Sequence, residues 1–179
     1  MKANILVDQD GHARLAGLEL VTIVSDQTGF ITSESVTSYG ISQWMSPELI
    51  HPDQFSSYGG RPTKASDCYA LGMVIYEVLT GRAPFAPLKA YIIVRMVIDG
   101  ERPGRPGGVN GIWFTDNLWK MLGLCWATDS HSRPSIEAVL ECLEQVSGTW
   151  KPLPPQVNEG VEEDENDWDL TVLMVSILF

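Results

Sequence analysis

Basic residues are scarce in this chain of 179 residues: 12 Lys and Arg stand against 23 Asp and Glu, giving a formal net charge of −11. Nucleic acid and anionic membranes are held by clustered Lys and Arg, so neither is expected as a general partner. Cysteine is scarcer still. Cys68, Cys125 and Cys142 form no C-x-x-C pair, their number is odd, and each falls in an apolar, helix-like context. They read as reduced, buried thiols of a cytosolic or nuclear protein. No G-x-G-x-x-G occurs, so these residues hold no glycine-rich loop to cradle phosphates. No apolar run approaches the roughly 20 residues that a membrane-spanning helix needs. The strongest candidate, residues 170–179, has ten. The first ten residues carry no basic stretch followed by an apolar one, so no secretion signal is expected and the location is read as cytoplasmic or nuclear.

Enough apolar sequence is present to build one domain. At 44% hydrophobic the chain can bury a core. From Lys151 onward there are seven acids and one base, so more than half of the net charge lies in that tail. Residues 148–169 read as a linker, first rich in proline (Pro152, Pro154, Pro155) and then acidic. Residues 170–179 read as a short apolar tail: a docking or interfacial segment, or an unrelated extension.

Local patterning suggests a hairpin followed by helices. Ile5, Leu6 and Val7 form a short β-prone run. Asp10-Gly11 is a turn signal, and a second short run ends at Leu15. Residues 24–43, rich in Ser, Thr and Gly, read as a long loop, and residues 51–62 as another. A short helical turn is expected within 44–49. The clearest helix spans 65–79, where Ala65, Cys68, Leu71, Ile75, Val78 and Leu79 recur at helical spacing. Tyr69, Ala70, Met73 and Val74 make its other faces apolar too, which marks a buried, central helix. Thr80-Gly81 ends it. Further helices are expected over 88–98, over 116–125 behind a Thr115 cap, and over 134–145. A Pro- and Gly-rich connector lies at 101–111 and a loop at 127–133. This reading gives a mainly α unit with one small hairpin, and no function.

A series of short motifs is more specific. Asn4-Ile5-Leu6-Val7-Asp8 resembles the end of a protein kinase catalytic loop and the strand after it. Trp44-Met45-Ser46-Pro47-Glu48 resembles the kinase Ala-Pro-Glu motif in its tyrosine-kinase-like form. Asp67-Cys68-Tyr69-Ala70-Leu71-Gly72 and Tyr76-Glu77-Val78-Leu79-Thr80-Gly81, then Pro84-Phe85, resemble the kinase central helix and its exit. Gly100-Glu101-Arg102-Pro103, Cys125-Trp126 and Arg133-Pro134-Ser135 complete the order. Over residues 1–147 the chain therefore resembles the helical C-terminal lobe of the protein kinase superfamily, α+β overall but mainly α in this part.

The resemblance implies roles. Glu48 should pair with Arg133, whose fork suits a carboxylate. Asp67 should accept hydrogen bonds from the catalytic-loop backbone. Both roles are architectural. Leu6 lies where the family touches the adenine ring of ATP, and Asn4 is the family's one retained magnesium ligand, although a lone amide is a poor magnesium site. It reads first as a turn residue bonding its own loop. No catalytic residue is assigned. The glycine-rich loop, the strand Lys, the helix Glu and the His-Arg-Asp base have no counterpart in these residues. Where kinases read Leu-Ala-Asp-Phe-Gly-Leu, this chain reads Leu15-Ala16-Gly17-Leu18-Glu19-Leu20. Gly17 replaces the second magnesium ligand, and Glu19 reads as a surface acid rather than a substitute. Ile41 and Gln43 replace the Thr and Arg that precede Trp-Met in kinases of this type. Ser33, Ser35, Thr37 and Ser38 are candidate phosphate acceptors or simply part of a solvated Ser-rich loop.

Two classes of function are thus expected. One is a catalytically silent, kinase-like binding or scaffold module with protein partners. The other is an ATP-dependent Ser/Thr or Tyr kinase, active in a longer product that supplies the upper lobe. A nucleotide-responsive pseudokinase is a third reading. ATP and Mg enter only through the resemblance.

Overall fold

The computed structural model describes residues 5–9, 13–15, 42–55 and 59–148. Strand β1 (Ile5–Val7) pairs antiparallel with β2 (Ala13–Leu15), setting Ile5 opposite Leu15 and Leu6 opposite Arg14. The Arg14 Nε donates to Asp8 Oδ2 at 2.8 Å beside the hairpin. The Asp10-Gly11 turn signal, the long loop at 24–41, and the linker and tail beyond 148 lie outside the described residues.

Among the described residues, all remaining elements are helical. They are α1 (Pro47–Ile50), α2 (Pro52–Phe55), α3 (Lys64–Thr80), α4 (Ala90–Ile98), α5 (Gly108–Gly111), α6 (Asp116–Cys125), a 3-10 turn (Ser130–Ser132) and α7 (Ile136–Ser147). Helix α3 begins with a reciprocal cap. The Thr63 hydroxyl accepts from the Ser66 amide at 3.2 Å, and the Ser66 hydroxyl accepts from the Thr63 amide at 2.8 Å. It ends at Gly81, whose φ of 68° is the left-handed conformation that a side chain would disfavour. Cys68, Tyr69, Gly72, Met73, Val74, Ile75 and Leu79 are all buried. The faces of α3 meet α6, α7 and the aromatic side chains between them.

Differences from the sequence reading are confined to element ends and short turns. The expected helix over 88–98 starts at Ala90, because Lys89 is still extended. Pro52 opens a short helix inside the expected loop at 51–62, and the 101–111 connector closes with another. The last helix starts at Ile136 rather than at Pro134: Ser135 is extended and its hydroxyl accepts from the Ala138 amide at 3.3 Å.

The core has two parts. The larger is centred on α3, with Trp113, Phe114, Leu118, Leu122, Trp126, Val139 and Leu143 packed against it. The smaller joins Met45 and Ile50 to Ile93 and Val97 of α4. Phe85 packs against both and so ties them together.

Candidate functional site

The segment entering α1 is unusually well held for a loop. Trp44, Met45, Ser46, Pro47 and Glu48 are all buried. Three anchors hold it. Met45 enters the smaller core. The Trp44 indole Nε1 donates to the buried Glu77 Oε2 on α3 at 3.0 Å. Glu48 forms a two-pronged bond with Arg133: Nη1 donates to Oε1 at 2.6 Å and Nη2 to Oε2 at 2.8 Å. The Arg133 side chain is fully buried and that of Glu48 is 7% exposed.

Arg133 uses its other donors on backbone. Its Nε donates to the Ala127 carbonyl at 2.9 Å, and Nη1 also donates to the Ala65 carbonyl at 2.8 Å. One side chain thus joins α1, the start of α3 and the end of α6. Burial is the largest single influence on Glu48 and acts against its charge. The hydrogen bonds and positive charge of Arg133 outweigh it together, leaving the carboxyl below its ordinary value.

A second arginine stands beside the first. Arg102 donates from Nε to the Trp126 carbonyl at 2.7 Å, from Nη1 to the Val97 carbonyl at 3.2 Å, and from Nη2 to the Thr128 hydroxyl at 3.0 Å. Both guanidiniums lie over the Tyr69 ring, Arg102 at 5.5 Å and Arg133 at 5.2 Å from its centroid. Burial pushes the Tyr69 phenol up to about 12, against the pull of the two cations. Sequence reasoning quoted Trp44, Glu77, Tyr69 and Arg102 only as parts of motifs. Their joint role arises from contacts between distant positions of the chain, 33 apart for Trp44 and Glu77, which no local pattern displays.

Of the other residues singled out in the sequence, Asp67 lies in the first turn of α3, exposed, with burial of part of its surroundings raising its carboxyl. The catalytic-loop backbone expected to bond it lies outside the described residues. Leu6, on β1, is 53% exposed. Gln43 is half-buried at the head of the anchored segment. Asn4, Gly17, Glu19, Ile41 and the Ser/Thr residues at 33–38 lie outside the described residues. The structure thus brings Glu48 and Arg133 together and leaves Leu6 apart on the hairpin.

Asn4 and Gly17, the positions that the resemblance assigns to magnesium, lie outside the described residues. Among the described residues, no group of three or more His, Cys, Asp or Glu side chains is placed to hold a metal, and no helix is long and apolar enough to cross a membrane. The chemistry of the described site is therefore anchoring: a carboxylate, two guanidiniums and an indole fix one loop to a helical body.

The pattern of the family described as protein tyrosine and serine/threonine kinase matches residues 1–143. The chain is 27% identical over 167 residues to the dual specificity protein kinase pyk3 of Dictyostelium discoideum, covering 93% of this chain and 11% of that protein. It is 30% identical over 148 residues to the serine/threonine-protein kinase STY46 of Arabidopsis thaliana, covering 81% of this chain and 22% of that protein. It is 32% identical over 142 residues to a light-sensor protein kinase of Ceratodon purpureus, covering 74% of this chain and 10% of that protein. The chain thus spans between 10 and 22% of the length of these relatives.

Proposed function

The chain belongs to the protein tyrosine and serine/threonine kinase family, and from that premise we propose that it is a kinase-like module that binds protein partners and does not itself transfer phosphate. Residues 1–147 form the kinase-like lobe in this reading, with 148–169 as linker and 170–179 as an apolar tail. One observation carries it: Gly17 stands where the family places the aspartate that seats magnesium on the phosphates. Phosphoryl transfer is catalysed mainly by positioning and by neutralising charge, so loss of that carboxylate removes the cation's main grip. The cost is several kcal/mol of transition-state stabilisation, or about 10³-fold or more in rate.

Ile41 and Gln43 support the same reading, since they replace two further polar groups of the family's activation segment. The anchors described above support retention of the scaffold, because Glu48, Arg133 and the central helix are kept where catalytic groups are changed. Three free, buried thiols support an intracellular setting. The acidic net charge of −11 supports protein partners over nucleic acid.

The test is radiolabelled phosphate transfer from MgATP by the longest product containing these residues, alongside its Gly17→Asp variant. The expected result is no transfer by the Gly17 form and no MgATP-dependent rise in its melting temperature. Transfer by the Gly17 form to a protein substrate overturns the reading and favours an active Ser/Thr or Tyr kinase. A melting shift without transfer favours a nucleotide-responsive pseudokinase, with Leu6 at the adenine.

A further inference from the structure

The three cysteines, distant in sequence, converge in one core. Cys68 on α3, Cys125 at the end of α6 and Cys142 on α7 are free, buried and members of the same packed cluster. Helix α6 comes near α3 at Gly72. A Cβ placed on Gly72 would lie 3.0 Å from the Cβ of Cys125. Gly72 is one helical turn after Cys68, and residues so spaced have Cβ atoms about 5–6 Å apart on one face. Cys125 therefore sits over the same turn of α3 as Cys68, with the glycine supplying the space. A disulfide needs a Cβ separation of about 3.5–4.5 Å, so α3 and α6 must adjust along this step to form one.

We propose that Cys68 and Cys125 form an oxidation site, at which a hydroperoxide converts the two thiols to a disulfide that clamps α3 to α6. The chemistry balances in two steps. The Cys68 sulfur attacks the peroxide oxygen, breaking the O–O bond, and becomes a sulfenic acid while the alcohol or water leaves. The Cys125 sulfur then displaces hydroxide from Cys68, giving the S–S bond and one water. Both cysteines are oxidised and the hydroperoxide is reduced.

The surroundings favour Cys68 as the attacking group. It lies near the amino end of α3, and its neutral thiol donates to the Pro134 carbonyl at 3.4 Å, on the connection before α7. The Cys125 thiol as hydrogen-bond partner and the positive charge of Arg133 lower the Cys68 thiol, against burial. Cys125, at the far end of α6, is raised by its Cys68 neighbour and by burial. Both thiols are buried, so a hydroperoxide reaches them through local opening of the packed helices.

The experiment treats the full chain with millimolar hydrogen peroxide at neutral pH, below its melting temperature. Thiol titration and non-reducing peptide mass mapping follow. The expected result is loss of two of the three free thiols and a Cys68–Cys125 linked peptide that dithiothreitol reverses. Cys142→Ala should keep the link and Cys125→Ala should abolish it. The mapping of the unsubstituted chain decides the matter even if a variant fails to fold. A link involving Cys142, single-cysteine sulfinic acid alone, or thiols untouched until the protein unfolds would each overturn the proposal.

Discussion

Glu48 is ionised in a place where burial opposes ionisation, and the fork of Arg133 is what sustains it. Removing one partner leaves the other charged, buried and unpaired. Glu48→Gln and Arg133→Met are each expected to lower unfolding free energy by about 3–5 kcal/mol in urea titration. A pH series separates this pair from generic packing. The Glu48 carboxyl is lowered from its ordinary 4.5, so its contribution is full above that value and disappears as pH falls through the lower folded value. The gap in melting temperature between the native chain and Glu48→Gln should therefore be constant near neutrality and close in acid. A gap that stays unchanged as the pH is lowered into the acid range would mean the pair is not the source of the loss. Both residues were legible in the sequence, because the Pro-Glu and Arg-Pro motifs carry them. Trp44 and Glu77 were not: their bond depends on how the segment folds back onto α3.

Two glycines show how an element's neighbours override its own preferences. Glycine in a helix interior is unfavourable by roughly 0.5–1 kcal/mol relative to alanine. Gly123, on the exposed side of α6, has nothing within 4 Å of the position a Cβ would take, so Gly123→Ala should stabilise by about that amount. Gly72 is the opposite case. The added carbon would meet the Trp126 Nε1 at 2.7 Å and the Cys125 Cβ at 3.0 Å. Overpacking of this kind costs about 1–3 kcal/mol, more than the helix gains. Thermal denaturation of the two variants should move in opposite directions. A third test concerns the start of α3: Thr63→Ala removes the cap that holds the Ser66 amide and should cost about 1 kcal/mol. The helices themselves were readable from apolar spacing, with 116–125 matching α6 end to end. Helix α1 overlaps the short turn expected within 44–49, whereas α2 and α5, each of four residues, are too brief to leave a periodic signal.

For the molecule as a whole, stability is concentrated along α3. Its buried faces meet α6 and α7, and Arg133 secures its first turn to the loop after α6. Amides of α3 are expected to exchange with deuterium only through global unfolding, whereas those of β1, a three-residue strand with Leu6 half-exposed, should exchange early. A short hairpin has little apolar area to hold it, and two strands alone are marginal in water. Exchange of α3 before α6 and α7 would contradict this order.

Composition and motif order were enough to assign a mainly helical chain of the kinase family, since the order of short motifs needs no coordinates. Apolar period alone sufficed to pick out α3 as the buried helix, because a chain segment apolar on every face has nowhere else to go. Tertiary structure alone decided which side chains anchor the loop before α1, how two arginines share Tyr69, and that three separated cysteines meet in one core. These are distances between residues tens of positions apart, and they exist only once the helices have packed.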